Sequence, residues 1–336
     1  MRWSETSEPS TRAEAMSSAE AFARHLAGQR LRERIFRGST LAAAILLLLL
    51  LGGVVVSLLH AAWPAFSRFR LAFITQDVWN PVTDRYGALS AIYGTVVTSL
   101  LAMIFAVPVS VGIAIFLTEL APPWLKRPVG VAIELLAAIP SIIFGIWGLF
   151  VLAPLLQEHV EPWMDSHMGR LPLVGALFQG APYGIGFLTA GIVLAIMIVP
   201  FISAVIRDVF ETVPDVLKES GYGLGATTWE VIWKVVVPYS RTGMIGAIML
   251  GLGRALGETM AVTFVIGNAH HVSASLLAPG TTISAAIANE FTEATTPLYR
   301  SSLIAQGVLL FIITFAVIAA ARLMLLRLGR RALASA

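Results

Sequence analysis

ESGYGLGATTWEVIWKVVVP, residues 219–238, is a polar interval that separates two long apolar segments of the chain. Pro214 lies shortly before it, and because proline suits the first position of a helix, a short helix is predicted to begin there. Gly225 then allows a turn. Thr227 and Glu230 have the spacing of a capping box, so a second helix is predicted to start at Thr227 and to run to the end of the interval. A helix-turn-helix held against one face of a membrane is typical of a docking element.

The composition of the chain is that of an integral membrane protein. Of its 336 residues 57% are hydrophobic and only 13% are charged, and the mean hydropathy is +0.80. Soluble domains carry about 25% charged residues. The chain has no cysteine, which excludes disulfides, thiolate metal sites and thiol nucleophiles.

Six apolar runs are long enough to cross a membrane, which takes about 20 residues. The predicted fold class is therefore an all-α polytopic membrane protein with six transmembrane helices. The spans are expected at about 41–59, 92–117, 129–155, 184–206, 242–266 and 303–326. They form a transmembrane domain, residues 39–326, that contains a polar loop at 207–241 and is flanked by polar tails at 1–38 and 327–336.

The distribution of Lys and Arg predicts the orientation of the chain. These residues are much more frequent in the two tails and in the loops on the same side than in the three larger loops on the other side. Because positive charge favours the cytoplasmic side, both termini and the 207–241 loop are predicted to be cytoplasmic.

Several kinds of chemistry have no motif in this chain. The three lysines, Lys126, Lys218 and Lys234, do not follow a glycine, so the loop that cradles nucleotide phosphates is absent. The chain is therefore predicted not to hydrolyse ATP itself, not to be an enzyme and to bind no cofactor. His270 and His271 are adjacent and would not face one ligand on a helix, so no metal site is predicted.

Charged residues inside the predicted spans are the candidate transport groups. Arg254 and Glu258 lie one helical turn apart in the fifth span, and such groups must face a bundle interior or a water-filled cavity. The functional interpretation is an anion pathway in which Arg254 meets the anion while Glu258 holds the guanidinium. The alternative is an ion pair that only fixes packing. Glu134 in the third span is either a pathway residue or a partner of Lys126 or Arg127.

The polar interval resembles the E-A-A-x-x-x-G-x9-I-x-L-P loop of ABC-importer permeases. Glu219-Ser220-Gly221, Gly225 and Val235-x-Val237-Pro238 match it, with Ser and Gly in place of two alanines and valines in place of Ile and Leu. The resemblance implies a type I ABC-importer permease fold with a cytoplasmic coupling helix. It also implies that the residues coupling to the ATPase are Glu219, Ser220, Gly221, Gly225 and Pro238.

Further motifs are similar to those of phosphate-importer permeases of the PstC type. They are Trp79-Asn80-Pro81, Gly87-Ala88, Ile92-Tyr93-Gly94-Thr95, the segment from Glu134 to Trp147, Gly253-Arg254-Ala255-Leu256-Gly257-Glu258-Thr259-Met260-Ala261-Val262, and Pro279-Gly280-Thr281-Thr282-Ile283. The resemblance implies a bacterial inner-membrane location and a role for Arg254 and Glu258 in transport. The implied partners are a second homologous permease, two ATPase subunits that use the ATP, and an extracytoplasmic phosphate-binding protein. No nucleic acid partner is expected.

Three other functions stay open on the sequence alone. A permease for sulfate or molybdate would share the coupling loop. A proton-coupled carrier would work without an ATPase and would use Glu258 as its proton site. A purely structural or sensing role would leave transport independent of Arg254.

Overall fold

The computed structural model describes residues 8–172 and 174–334, with side chains described at 32–172 and 174–323. The chain divides into two compact units, Met1–Ser57 and Leu58–Ala336. The tails predicted at 1–38 and 327–336 lie partly outside the described residues, namely at 1–7 and at 335–336. From Glu8 onward the first tail is not a separate segment, because it forms the beginning of the long helix that continues into the first span.

The described chain is almost entirely helical. Its helices are α1 Glu8–Phe69, α2 Ala72–Thr75, α3 Leu89–Ile115, α4 Pro123–Ala137, α5 Ser141–Trp147, α6 Ala153–Leu155, α7 Glu161–His167, α8 Phe187–Glu211, α9 Asp215–Gly223, α10 Thr228–Val231, α11 Val237–Leu256, α12 Met260–Val265, α13 Ile283–Glu290 and α14 Pro297–Ala334. Wider π-helical turns continue them at Phe116–Leu120, Gly148–Leu152, Leu156–Val160 and Ile232–Val236, and Gly175–Leu177 is a 3-10 turn. Two short strands, β1 Trp79–Asn80 and β2 Arg85–Tyr86, pair antiparallel.

Among the described residues, six helical stretches are long and apolar enough to cross a membrane, which confirms the predicted class of fold. They are Arg32–Phe69, Leu89–Leu120, Ser141–His167, Phe187–Glu211, Thr228–Leu256 and Pro297–Leu323. Because consecutive spans run in opposite directions, the α9–α10 segment, which follows the fourth span, lies at one end of the second unit. The β1–β2 hairpin and α13 are at the opposite end.

The third apolar run is not one helix. It was expected to be continuous from about 129 to 155, but α4 ends at Ala137 and α5 begins at Ser141. Pro140 explains the interruption, because it has no N–H to donate and its ring would clash with the carbonyl four residues back. The spanning part starts after this break and extends to His167, into residues expected to be loop.

The fifth run also differs from the expected 242–266 helix. The helix starts earlier, at Thr228, and passes through Pro238 because a π-helical turn precedes it, in which the Val237 amide donates to the carbonyl five residues back. It then stops at Leu256, and α12 resumes at Met260. In the break, the Glu258 carbonyl accepts a hydrogen bond from the Ser284 hydroxyl at 2.8 Å instead of continuing the helix.

The centre of the second unit is the packing of α8 against α3. One face of α8 buries its large side chains completely: Phe187, Leu194, Ile198, Ile202 and Ile206. Gly191 allows the close approach, since a Cβ there would lie 2.7 Å from the Leu101 side chain. In a bilayer, lipid tails are as apolar as these side chains, so dispersion and close packing hold such helices together.

The two interrupted helices meet each other near this core. Gly145 of α5 lies against α12, where a Cβ would come within 2.9 Å of the Phe264 ring and 3.0 Å of the Ala261 Cα. Non-helical backbone at membrane depth is tolerated only where it is buried in protein or lines a water-filled cavity. The breaks therefore indicate the part of the fold where a pathway or a subunit contact lies.

Candidate functional site

The α9–α10 segment has the local structure that the sequence predicts. α9 begins directly after Pro214, and Gly225 has a φ of +85°, which only glycine adopts without strain. The predicted capping box is present: the Thr227 hydroxyl accepts from the Glu230 amide at 3.3 Å. The Glu230 carboxylate accepts from the Thr227 amide at 3.1 Å. The helix-turn-helix is confirmed.

The surface of this segment is unusually apolar. No residue of α9 is fully buried. The exposed large apolar side chains in and beside it are Val216, Leu217, Tyr222, Leu224, Trp229 and Trp233, with Leu224 89% exposed. A cluster of exposed apolar side chains at the end of a bundle is typical of a protein-protein contact.

The predicted coupling residues all belong to this element or follow it closely. Glu219, Ser220 and Gly225 are exposed, and Pro238 is exposed at the start of α11. Gly221 lies where α9 packs on the next helix, since a Cβ there would be 3.1 Å from Val231. Four of the five residues are therefore exposed, and Gly221 lies on the packed side of α9.

An ion pair that sequence reasoning missed joins this segment to the second span. The Lys218 ammonium donates to the Glu119 carboxylate at 2.7 Å. Both side chains are largely buried. The two residues are 99 positions apart, so no local pattern signals the pair.

Arg254 lies in the last turn of α11 and is exposed in the isolated chain. Its guanidinium carbon is 5.9 Å from the centre of the Phe201 ring, within the range of a cation-π contact. The free carbonyls at a helix C-terminus also favour a cation there, by about 0.3 to 1 kcal/mol. The ring of Phe201 is therefore the observed neighbour of the guanidinium among the described side chains.

The predicted contact between Glu258 and Arg254 is not formed. Among the described side chains no ion pair joins them. Their spacing puts them on one face only if the helix continues, and it ends at Leu256. The Glu258 carboxylate instead accepts from the Ala261 amide at 3.4 Å, at the start of α12.

Arg254 lies close to the break between α11 and α12. A lipid-exposed charge at this depth would cost about 2.5 to 3.5 kcal/mol or more. The guanidinium is beside a helix break, where backbone must line a cavity or a subunit contact. Among the described side chains no carboxylate pairs with it, and a guanidinium carries five N–H donors.

Glu134 pairs with Arg207 at 3.1 Å, and not with Lys126 or Arg127 as predicted. Lys126 donates to the Thr118 carbonyl instead. The ion pair borders a cavity of about 440 Å³ at the α9 end, lined by charged residues of α4, α8 and α9. Glu134 is 57% exposed, so its place is at the rim of the bundle and not beside Arg254.

A second polar cluster lies at the opposite end of the unit, around Glu290. Its carboxylate accepts from the Trp79 indole and the Tyr299 hydroxyl, each at 2.6 Å, and shares a hydrogen bond with His270 at 2.5 Å. Burial alone would raise the pKa of Glu290, but the hydrogen bonds from His270, Tyr299 and Trp79 outweigh it and lower the pKa. The cluster therefore fixes the hairpin to α13 and α14 through an ionised carboxylate.

Aromatic stacking reinforces the same cluster. His270 stacks on Trp79 with ring centres 5.1 Å apart, and Tyr86 stacks on Tyr299 at 5.3 Å. Burial and a hydrogen bond to Asp84 raise the pKa of Tyr86 to about 12. The sequence singles out Trp79-Asn80-Pro81 as a motif, but its partner Glu290 is 211 residues away.

Comparison with known proteins gives consistent matches. The family model described as binding-protein-dependent transport system inner membrane component matches residues 106–332. The phosphate transport system permease protein PstC of Mesorhizobium japonicum is 60% identical over 315 residues, 94% of this chain and 95% of the relative. The protein of the same name from Pasteurella multocida is 59% identical over 299 residues, 89% of this chain and 93% of the relative.

A solved structure shares the fold. It is a bacterial alginate ABC transporter in complex with an alginate pentasaccharide-bound periplasmic protein, of which one chain has a TM-score of 0.60 and 18% identity. The match covers 88% of this chain and 96% of that chain. At this identity the likeness shows the fold alone, which is that of an ABC transporter permease.

Proposed function

The chain belongs to the binding-protein-dependent transport system inner membrane component family, and we propose that it is the permease subunit of an ATP-driven phosphate importer. The observation that carries the proposal is its similarity, over nearly the whole chain, to relatives named phosphate transport permeases. The chain forms half of the translocation pathway and pairs with a second, homologous permease. It sits in the bacterial inner membrane with both termini in the cytoplasm, as the excess of Lys and Arg on that side favours.

The α9–α10 segment is the contact with a separate cytoplasmic ATPase, and the complete complex contains two ATPase subunits. Its exposed apolar side chains and its position between the fourth and fifth spans support this role. The chain has no loop for nucleotide phosphates, so a partner must hydrolyse the ATP. Closure of the ATPases would move α9 as a rigid body, and the attached spans would follow.

The substrate pathway passes Arg254. Phosphate carries between one and two negative charges near pH 7, and a guanidinium matches its oxygens with two parallel hydrogen bonds. Arg254 pairs with no carboxylate among the side chains that the structure describes, which suits it as a transient partner of the anion, and Phe201 lies beside its guanidinium. Glu258 acts at the helix break and not as a clamp on the guanidinium. An extracytoplasmic binding protein delivers phosphate to the end that carries the hairpin.

The test is uptake of radiolabelled phosphate by proteoliposomes that contain the complete complex, with ATP inside and the loaded binding protein outside. Uptake should require ATP and should persist in excess sulfate or molybdate. Competition by sulfate or molybdate would assign the chain to another oxyanion. Uptake by this chain alone, without any ATPase, would assign it to the proton-coupled carriers.

A further inference from the structure

The ion pair between Lys218 and Glu119 connects two elements that the chain order separates. Lys218 belongs to α9, and Glu119 lies in the π-helical turn Phe116–Leu120 that ends the second span. Their charged atoms are 2.7 Å apart, and the side chains are only 17% and 6% exposed. This burial distinguishes the pair from the exposed Lys234–Glu230 pair on the neighbouring helix.

Burial makes this contact costly to separate. The attraction between opposite charges is little screened where water is excluded. Removing one partner leaves the other charge buried and uncompensated, which destabilises far more than the loss of a surface pair. Lys218 and Glu119 therefore tend to move together.

Few polar contacts other than this pair connect α9 to the rest of the unit. Among the side chains described at 32–172 and 174–323, it makes the one hydrogen bond from α9 to a residue outside 212–238. Beside it lies the 440 Å³ cavity, which Asp215 and Lys218 of α9 line together with residues of α4 and α8. α9 also packs on the helix that leads to the fifth span, where a Cβ at Gly221 would lie 3.1 Å from Val231.

The second span connects Glu119 to contacts at the other end of the unit. α3 packs along α8 and, at its far end, the Thr95 hydroxyl accepts from the Ile283 amide at 3.0 Å. Gly94 meets the Thr281 carbonyl at the same place. A displacement of Glu119 would therefore reach the loop that precedes α13.

We propose that the Lys218–Glu119 ion pair is a tether that makes the second span follow α9 when the ATPases close. The inference rests on the proposed function, because it requires a motion imposed on α9. The pair touches neither phosphate nor nucleotide and acts as a positioning contact. Without it, α9 would still move the fourth and fifth spans, to which the chain joins it, but the second span would lose its direct link to α9, and less phosphate would be transported for each ATP hydrolysed.

The experiment measures ATP hydrolysis and phosphate uptake in the same reconstituted complex. Lys218→Met and Glu119→Gln should each lower the phosphate taken up per ATP hydrolysed by at least about fivefold, the lower end of typical coupling between linked sites. Hydrolysis and ATPase binding should persist. The exchanged pair, Lys218→Glu with Glu119→Lys, should recover most of the lost uptake because it restores the attraction.

Lys126→Met is the matched control, since Lys126 lies at the same end and, among the described residues, hydrogen-bonds to the Thr118 carbonyl and to no carboxylate. It should keep the wild-type ratio. An unchanged ratio in both single variants would overturn the tether, as would a loss of bound ATPase that the exchanged pair does not restore. A wild-type complex that hydrolyses ATP without taking up phosphate would instead overturn the proposed function.

Discussion

Replacing Gly94 with alanine should destabilise the protein strongly, because α3 touches the 277–283 loop through backbone at this residue. A Cβ at Gly94 would lie 1.9 Å from the Thr281 carbonyl oxygen, 3.0 Å from its carbon and 3.1 Å from the Phe187 ring. Neither a carbonyl group nor a fully buried ring can move aside cheaply. Overpacking costs about 1 to 3 kcal/mol, and a clash with backbone belongs at the upper end of that range.

Gly112 in the same helix provides the control, since nothing lies within 4 Å of a Cβ added there. Gly112→Ala should be neutral or should stabilise by roughly 0.5 to 1 kcal/mol through helix propensity. Thermal unfolding of the detergent-solubilised protein, followed by circular dichroism, measures both variants. A cost of about 3 kcal/mol lowers the melting temperature by roughly 5 °C. Equal melting temperatures for Gly94→Ala and Gly112→Ala would refute the packing of this loop on α3.

The other predictions concern the polar contacts. The depressed pKa of Glu290 means that its stabilisation is complete above the ordinary carboxyl pKa of about 4.3 and is lost as the pH falls through the lower folded value. The melting temperatures of wild type and Glu290→Gln should therefore converge below about pH 4. A difference between the two melting temperatures that does not change with pH would contradict the ionised state of Glu290 in this cluster. Thr227→Ala should cost about 0.5 to 2 kcal/mol of local helix stability, seen as faster amide exchange at 228–231, while Thr227→Asp should preserve the cap. Glu134→Gln should leave phosphate uptake near wild type, because an exposed ion pair contributes about 0 to 1 kcal/mol. A large loss of uptake would instead indicate that Glu134 belongs to the substrate pathway.

The features that the sequence predicts correctly are those that depend on residues close to one another in the sequence. Thr227 and Glu230 are three residues apart, and their capping box forms as expected. Gly225 turns the chain with a positive φ. The six spans follow from apolar length alone, because a membrane requires each backbone group to be satisfied within its own helix.

The features that the sequence misses depend on helix continuity or on distant residues. Hydropathy does not detect a lost backbone hydrogen bond. The helix break at Pro140 is therefore missed, because it lies within a continuous apolar run. The Arg254–Glu258 contact assumes an unbroken turn, and the helix ends between them. The pairing of Lys218 with Glu119, and of Trp79 with Glu290, arises only when α9 and the hairpin dock on the spans.

The most direct measurement is ATP-dependent phosphate uptake by the reconstituted complex with Arg254→Ala in place of the wild-type chain. Arg322→Ala, which removes an exposed guanidinium near the end of α14, is the control. Arg254→Ala should abolish uptake while the ATPase subunits stay bound, and Arg254→Lys should restore only part of it because an ammonium lacks the planar pair of donors. Wild-type uptake by Arg254→Ala would contradict the assignment of this arginine to the phosphate pathway.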